Sequence, residues 1–305
     1  MIKYSKQIII VGLFLLPLLN SCEKLRQNGG SGEVNNIIDI IEPYGDLSSF
    51  KKALEKSGIL NAVKTTVPLT VFAPTNAAFN EFLAKYGFPA IDDVDPNALA
   101  PVLAYHMVNA GITSNLFANG YMATMCEGPD FQRIGLLMNS TTQVLNGQAR
   151  ITEKDIIASN GVIHIIDKVL KPPSVIELLR QNPALEQMVT ALRKTKLDTL
   201  LTNPGPFTVF APSDEAFDKF LQDEGVAGFD EIPEEKLLSI IKHHIGYGNL
   251  IVRYPVSKTI QMLNGTLTIE TGYYFLVDNY VNIVGIDIQA SNGIVQVIDQ
   301  VLIPY

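Results

Sequence analysis

Four histidines and a scatter of carboxylates are the residues of this 305-residue chain best equipped for chemistry, and their spacing sets what they can do. His106, His164, His243 and His244 show no His-x-x-x-His or Cys-His spacing, and adjacent His243 and His244 diverge by about 100° on a helix, which does not suit shared chelation. No metal site is expected. Asp39 with Glu42 and Glu234 with Glu235 imitate a catalytic carboxylate pair, but each stands at a solvated helix start. The nucleophile-elbow, zincin, phosphate-loop and dinucleotide patterns do not occur, so neither catalytic residues nor a cofactor are expected.

The elements that hold these residues occur twice. Val71 to Leu83 (VFAPTNAAFNEFL) returns 138 positions later as Val209 to Leu221 (VFAPSDEAFDKFL), with eight of thirteen residues identical. Ala158 to Leu170 (ASNGVIHIIDKVL) returns 132 positions later as Ala290 to Leu302 (ASNGIVQVIDQVL), again with eight of thirteen identical. A period this long exceeds that of solenoid repeats and gives each copy enough chain to bury its own core. The expected boundaries are 34–172 and 173–305, joined at Lys171-Pro172-Pro173 with almost no linker. The offset falls from 138 to 132 after His106 and His244, so the first copy carries six extra residues within 107–157. Variable loops are expected there.

Local pattern predicts an α+β module. Leu47, Phe50, Leu54 and Leu185, Met188, Leu192 recur at helical spacing early in each copy. Pro68 to Phe72 and Pro206 to Phe210 read as strands, and each runs into a helix capped by Thr75 or Ser213. Asp95-Pro96 and Glu234-Glu235 open helices that end near a histidine. The later half of each copy reads as antiparallel β. Asn146-Gly147, Asn160-Gly161, Asn264-Gly265 and Asn292-Gly293 have the form of hairpin turns whose two central residues need positive φ. Tyr273-Tyr274-Phe275 is the one aromatic run, in a hairpin expected only in the second copy.

The N-terminus carries an address. Met1 to Lys6 is a basic head, and Ile8 to Leu19 is an apolar run broken by Pro17, too short to span a bilayer. Leu19-Asn20-Ser21-Cys22 resembles the bacterial lipobox, which implies cleavage after residue 21 and acylation of Cys22. Acyl chains contribute about 0.8 kcal/mol per buried CH2, so a multiply acylated Cys22 would hold the chain on a membrane, expected to be the outer membrane of a bacterial envelope. Residues 22–33 have the composition of a flexible tether. Removing residues 1–21 takes away Lys3 and Lys6 and no acid, so the net charge goes from −8 to −10. Such an acidic surface argues against nucleic acid. Cys126 then remains as a single thiol, expected to be a small buried hydrophobe.

The repeated Val-Phe-Ala-Pro-(Thr/Ser)-(Asn/Asp)-x-Ala-Phe, the Tyr105-His106 or His243-His244 pair, and Ala-Ser-Asn-Gly-x-(Ile/Val)-x-(Ile/Val)-Ile-Asp-x-Val-Leu together resemble the fasciclin (FAS1) domain. The resemblance implies, twice, a β-sandwich wedge with packed helices, serving as an adhesion or ligand-binding module without catalytic chemistry. It also implies binding candidates. Tyr105-His106 resembles the family's Tyr-His motif, replaced in the second copy by His243-His244, and Glu153 to Ile157 resembles its Glu-Pro-Asp-Ile-Met segment with Lys154 at the proline. In the second copy only Asp287-Ile288 remain of that segment. Read from the residues themselves, Tyr105 and His106 close an amphipathic helix, where a histidine can cap carbonyls and pack, and Asp155 precedes a tight turn whose amides a carboxylate can accept; a structural role is the stronger reading for the binding candidates Tyr105, His106, Asp155, Ile156, His243, His244, Asp287 and Ile288. The expected function is an envelope-anchored interaction lipoprotein binding a protein or glycan partner. A polysaccharide-binding accessory of a nutrient-uptake system and a hydrolase built on the fold are the alternatives. No oligomeric state follows from the pattern.

Overall fold

The computed structural model describes residues 35–304 apart from Thr66, Tyr273, Tyr274 and Asn279. The signal segment, Cys22, the tether and most of the Tyr273-Tyr274-Phe275 run therefore lie outside the described residues. From Asn35 onward the chain forms one compact unit, within which two copies of the same element order follow each other.

The first copy begins with α1 (Ile37–Ile41), α2 (Ser48–Ser57) and α3 (Leu60–Val63), followed by β1 (Leu69–Pro74), α4 (Asn76–Tyr86) and α5 (Pro96–Tyr105). Six strands follow: β2 (Met107–Val108), β3 (Gly120–Glu127), β4 (Arg133–Asn139), β5 (Val144–Leu145), β6 (Ala149–Ala158) and β7 (Gly161–Ile166). The second copy has α6 (Val175–Gln181), α7 (Glu186–Lys194), β8 (Phe207–Pro212), α8 (Asp214–Glu224) and α9 (Glu234–His243), and then β9 (Ile245–Tyr247). It ends with β10 (Ser257–Gln261), β11 (Thr266–Thr271), β12 (Phe275–Val277), β13 (Val281–Ala290) and β14 (Gly293–Ile298).

The expected caps form. Thr75 and Ser213 each accept the amide three residues on, from Ala78 and Ala216, and Asp95 accepts the Asn97 amide ahead of Pro96. Gly87 and Gly225 end the capped helices in the left-handed conformation that glycine adopts without steric cost.

Strands β1 to β7 close into a barrel in sequence order, and the second sheet runs β10-β11-β12-β13-β14-β8-β9, with a Gly246–Met262 bridge linking its two ends. The late strands are mainly antiparallel, as the alternation implies. The exception is the last strand of each copy, which pairs parallel to the first: β7 with β1, and β14 with β8.

That pairing puts β1 and β8 between two cores, and both are buried along their whole length. Leu69, Val71 and Ala73 face the helices, while Phe72 points into the barrel with Leu136, Met138 and Ile166. Phe207, Val209 and Ala211 repeat the first set, and Phe210 repeats the second. Two-residue alternation in a strand thus divides each copy into a helix-covered core and a sheet-enclosed one.

The turns differ from expectation at three of four Asn-Gly sites. Only Asn146 and Gly147 both take positive φ, 50° and 65°. The turns before β7 and β14 are centred on Ser159-Asn160 and Ser291-Asn292, and Asn264 is not left-handed. Gly161 and Gly293 are needed for another reason. At φ 157° and 155°, a Cβ would lie 2.1 Å from the Leu69 carbonyl oxygen and 2.2 Å from that of Phe207, so only glycine lets the parallel partner approach.

Candidate binding surface

Tyr105 and His106 end α5 inside the first copy, each fully buried. The Tyr105 hydroxyl donates to the Gly135 carbonyl at 2.8 Å and accepts from Asn146 Nδ2 at 2.9 Å. Burial raises its phenol far above the ordinary tyrosine range, with the Asn146 bond opposing weakly. His106 Nδ1 donates to the Val102 carbonyl at 2.7 Å, and Nε2 accepts the Leu170 amide at 2.9 Å. One nitrogen must therefore carry hydrogen and the other must not. The ring is neutral, and burial pushes its pKa down to about 4 against the pull of the Val102 carbonyl. His244 repeats this arrangement with the Ile240 carbonyl and the Leu302 amide, and is likewise pushed down to about 4 by burial. His243, which stands where Tyr105 does, is also buried and gives its Nδ1 hydrogen to the Asn264 carbonyl. All four side chains join elements inside the fold and present nothing to a partner.

Asp155 and Asp287 occupy bulges in β6 and β13 with positive φ, 60° and 52°. Asp155 does not accept the amides of the neighbouring turn. It reaches 41 residues back to the Ser114 amide at 2.6 Å and hydroxyl at 2.5 Å, because the bulge turns its side chain toward that loop. Partial burial acts against its charge, but the Ser114 bonds outweigh burial and hold the carboxyl below its usual range. Asp287 makes the matching bonds to the Val252 and Arg253 amides and to Arg253 Nε. Behind the bulge, His164 Nδ1 accepts the Asp155 amide and Nε2 donates to the Ile112 carbonyl. Gln296 does both tasks in the second copy, toward Asp287 and Leu250. A neutral histidine and a glutamine are therefore interchangeable here.

The residues that follow the two aspartates meet different surroundings. In the first copy Ile156 is half-buried and Ile157 is 57 % exposed; Leu116, in the turn that Asp155 anchors, is 58 % exposed. In the second copy Ile288 is buried, and Gln289, the counterpart of Ile157, is 1 % exposed.

The cover is the first copy's own β3–β4 hairpin, which runs 20 residues from Gly120 to Asn139 against 15 for its counterpart from Ser257 to Thr271. At its tip a Cβ on Gly128 would sit 2.6 Å from the Ala290 carbonyl oxygen and 3.2 Å from Gln289 Nε2. Asn249 Nδ2 bonds the Pro129 carbonyl at 3.3 Å and Gln289 Oε1 at 3.2 Å. Farther along, Tyr121 packs against the helix-covered core of the second copy and accepts from Asn182 Nδ2. Most of the six-residue insertion thus forms the arm that joins the two copies.

The covering arm and the exposure of Ile157 were not foreseen from sequence. A readable trace existed in the change from Ile157 to Gln289 at matched positions. Cys126 is buried, and burial pushes its thiol up to about 11. Among the described residues no cluster of three or more His, Cys, Asp or Glu could hold a metal ion, and no helix is long and apolar enough to cross a membrane.

The buried strand, the capped helix, the closing strand and the sheet of each copy define one class of repeated domain. The family model described as Fasciclin domain matches residues 45–172 and 183–304. The chain belongs to the fasciclin domain family. Human periostin is 38 % identical over 188 residues, covering 60 % of this chain and 21 % of periostin. Pig transforming growth factor-beta-induced protein ig-h3 is 28 % identical, covering 77 % of this chain and 34 % of its own length. Protein sll1483 of Synechocystis is 29 % identical, covering 53 % of this chain and 87 % of its own. The chain thus spans about a fifth to a third of the two animal relatives. A solved FAS1 domain pair from the insect cell adhesion molecule Fasciclin I shares the fold at TM-score 0.51 and 20 % identity, covering 85 % of this chain and 97 % of that one.

Proposed function

We propose that this chain is an interaction and adhesion lipoprotein of a bacterial envelope, held by an acylated Cys22 and engaging a protein or glycan partner through the Asp155-Ile156-Ile157 end of β6. The observation that carries the reading is the contrast between Ile157, 57 % exposed, and Gln289, 1 % exposed at the equivalent place. The face that one copy uses to bind its neighbour is open on the other. A large apolar side chain on a rigid strand end, fixed by the Asp155–Ser114 bonds, is the kind of anchor that association surfaces use. Kinship with a family whose fold occurs in an insect cell adhesion molecule supports the same reading, and the lack of a catalytic pattern disfavours a hydrolase.

Two variants of the full chain test the reading. Ile157→Asp is expected to leave the melting temperature within about 2 °C, since exposed substitutions cost within about 0.5 kcal/mol, and to abolish attachment of expressing cells to the partner surface. Undiminished attachment rejects the β6 face. Cys22→Ser is expected to move the chain out of the detergent phase, and unchanged partitioning rejects the anchor.

A further inference from the structure

Where α4 of the first copy and α6 of the second line a common cleft, its volume is about 250 Å³, just under the usual range of ligand sites and enough for a single sugar ring. One wall carries Phe82 and Tyr86, whose ring centroids lie 4.9 Å apart, with Lys85 Nζ 5.7 Å from the Tyr86 centroid. The opposite wall carries Arg180, and Gln148 and Gln181 supply amides at the edges.

The two carboxylates lining the cleft are already engaged. Lys168 holds both oxygens of Glu81 at 2.7 and 2.8 Å, and Lys171 holds Glu177 at 2.8 Å. Lys85 faces no carboxylate among the lining residues, and Arg180 is paired with Asp198 through one nitrogen at 3.2 Å, which leaves the rest of its guanidinium fork for a ligand. A positive lining in a chain of net charge −8 stands apart from the bulk of the surface.

The twin copy shows that this chemistry is not part of the shared fold. At matched positions Lys85-Tyr86 becomes Asp223-Glu224, Lys168 becomes Gln300 and Lys171 becomes Ile303, against a single change the other way, Glu81 to Lys219. Phe82 stays aromatic as Phe220, which is buried, while Phe82 is half-buried at the cleft. The shared core is retained while the exposed face changes from acidic to basic and aromatic.

We propose that this cleft binds an acidic saccharide, with a sugar ring against Tyr86 and Phe82 and its carboxylate on Lys85 and Arg180. Aromatic faces accept the apolar side of a sugar ring, a guanidinium matches a carboxylate in a planar fork, and Lys85 beside Tyr86 puts charge and stacking surface together. The site is separate from the Ile157 face, so the two stand or fall independently.

The test is calorimetric titration of the full chain in detergent with tetragalacturonate, tetramannuronate and a chondroitin tetrasaccharide, with maltotetraose as the neutral probe. At least one acidic probe is expected to bind, with affinity falling as salt rises, and maltotetraose is expected not to bind. Tyr86→Ala and Lys85→Asp, the latter placing in the first copy what the second has, are each expected to weaken binding about tenfold, equivalent to about 1.4 kcal/mol. Failure of all three acidic probes, equal binding of maltotetraose, or undiminished binding by both cleft variants overturns the proposal.

Discussion

The two copies are a controlled comparison within one chain: β6 of the first ends in an open Asp155-Ile156-Ile157 corner, and β13 of the second ends in an Asp287-Ile288-Gln289 corner roofed by Gly128 and Pro129. Backbone, bulge and carboxylate bonding agree, so these are duties of the fold. What differs is the side chain after the shared Asp-Ile and the neighbour above it, and this separates interaction surface from scaffold. His106 and His244 belong to the scaffold by the same test, and so do Asn160 and Asn292.

The largest expected effect is an acid limb shared by both copies. The two capping histidines are fully buried and neutral, and unfolding would return each from about 4 to the ordinary histidine value of 6.5. The unfolded chain then binds protons that the folded chain refuses. Stability is fully present above pH 6.5 and falls as pH drops toward 4, by about 3 kcal/mol for each histidine. The depressed carboxylates Asp155 and Glu177 add their loss only below the ordinary values of 3.8 and 4.5. Urea unfolding between pH 7 and pH 4 reads the slope, and the double variant His106→Gln, His244→Gln should remove most of it, leaving the share of His164, whose pKa burial also lowers. A flat profile in the parent chain would break the equivalence.

Next comes the buried asparagine of each Ser-Asn-Gly turn. Asn160 accepts the Ile37 amide and donates to the Val63 and Thr65 carbonyls, and Asn292 does the same for Val175, Leu201 and Asn203. Each alanine variant leaves three backbone groups without these bonds, so a cost of about 3 kcal/mol is expected in both copies by chemical denaturation. A loss confined to one copy would show that the pins are not equivalent.

The smallest of the three concerns the roof. Gly128→Ala puts a methyl against the Ala290 carbonyl, and overpacking of this kind costs about 1–3 kcal/mol. The strain falls on the contact between copies, so calorimetry should show one transition becoming two, with separate melting of each copy. A single transition at the parent temperature would mean that the contact carries little of the coupling.

Much of this was legible in the sequence. The duplication, the buried strand running into a capped helix, and the histidines closing α5 and α9 follow from local pattern, because caps, periodicity and proline act over a few residues. The parallel pairing of first and last strands was not legible, since it joins segments about 90 residues apart and leaves no local trace. Local pattern places Asp155 at a turn, whereas its partner Ser114 lies 41 residues away. Three of the four Asn-Gly pairs misled for a related reason: in Asn160-Gly161 and Asn292-Gly293 the side chain and the close approach matter, not positive φ at both residues. The open corner at Ile157 depends on what the six-residue insertion covers, and only the assembled pair of copies reveals that.

The central claim is that the corner at residue 157 faces a partner while its twin at 289 faces the chain itself. A photo-reactive benzophenone side chain placed at 157 and, separately, at 289, in the full chain on intact cells, tests it directly. The account predicts a discrete adduct of higher mass from position 157, and from position 289 only an internal cross-link to the Gly128–Phe131 segment. An adduct of higher mass from 289 with none from 157 would contradict it.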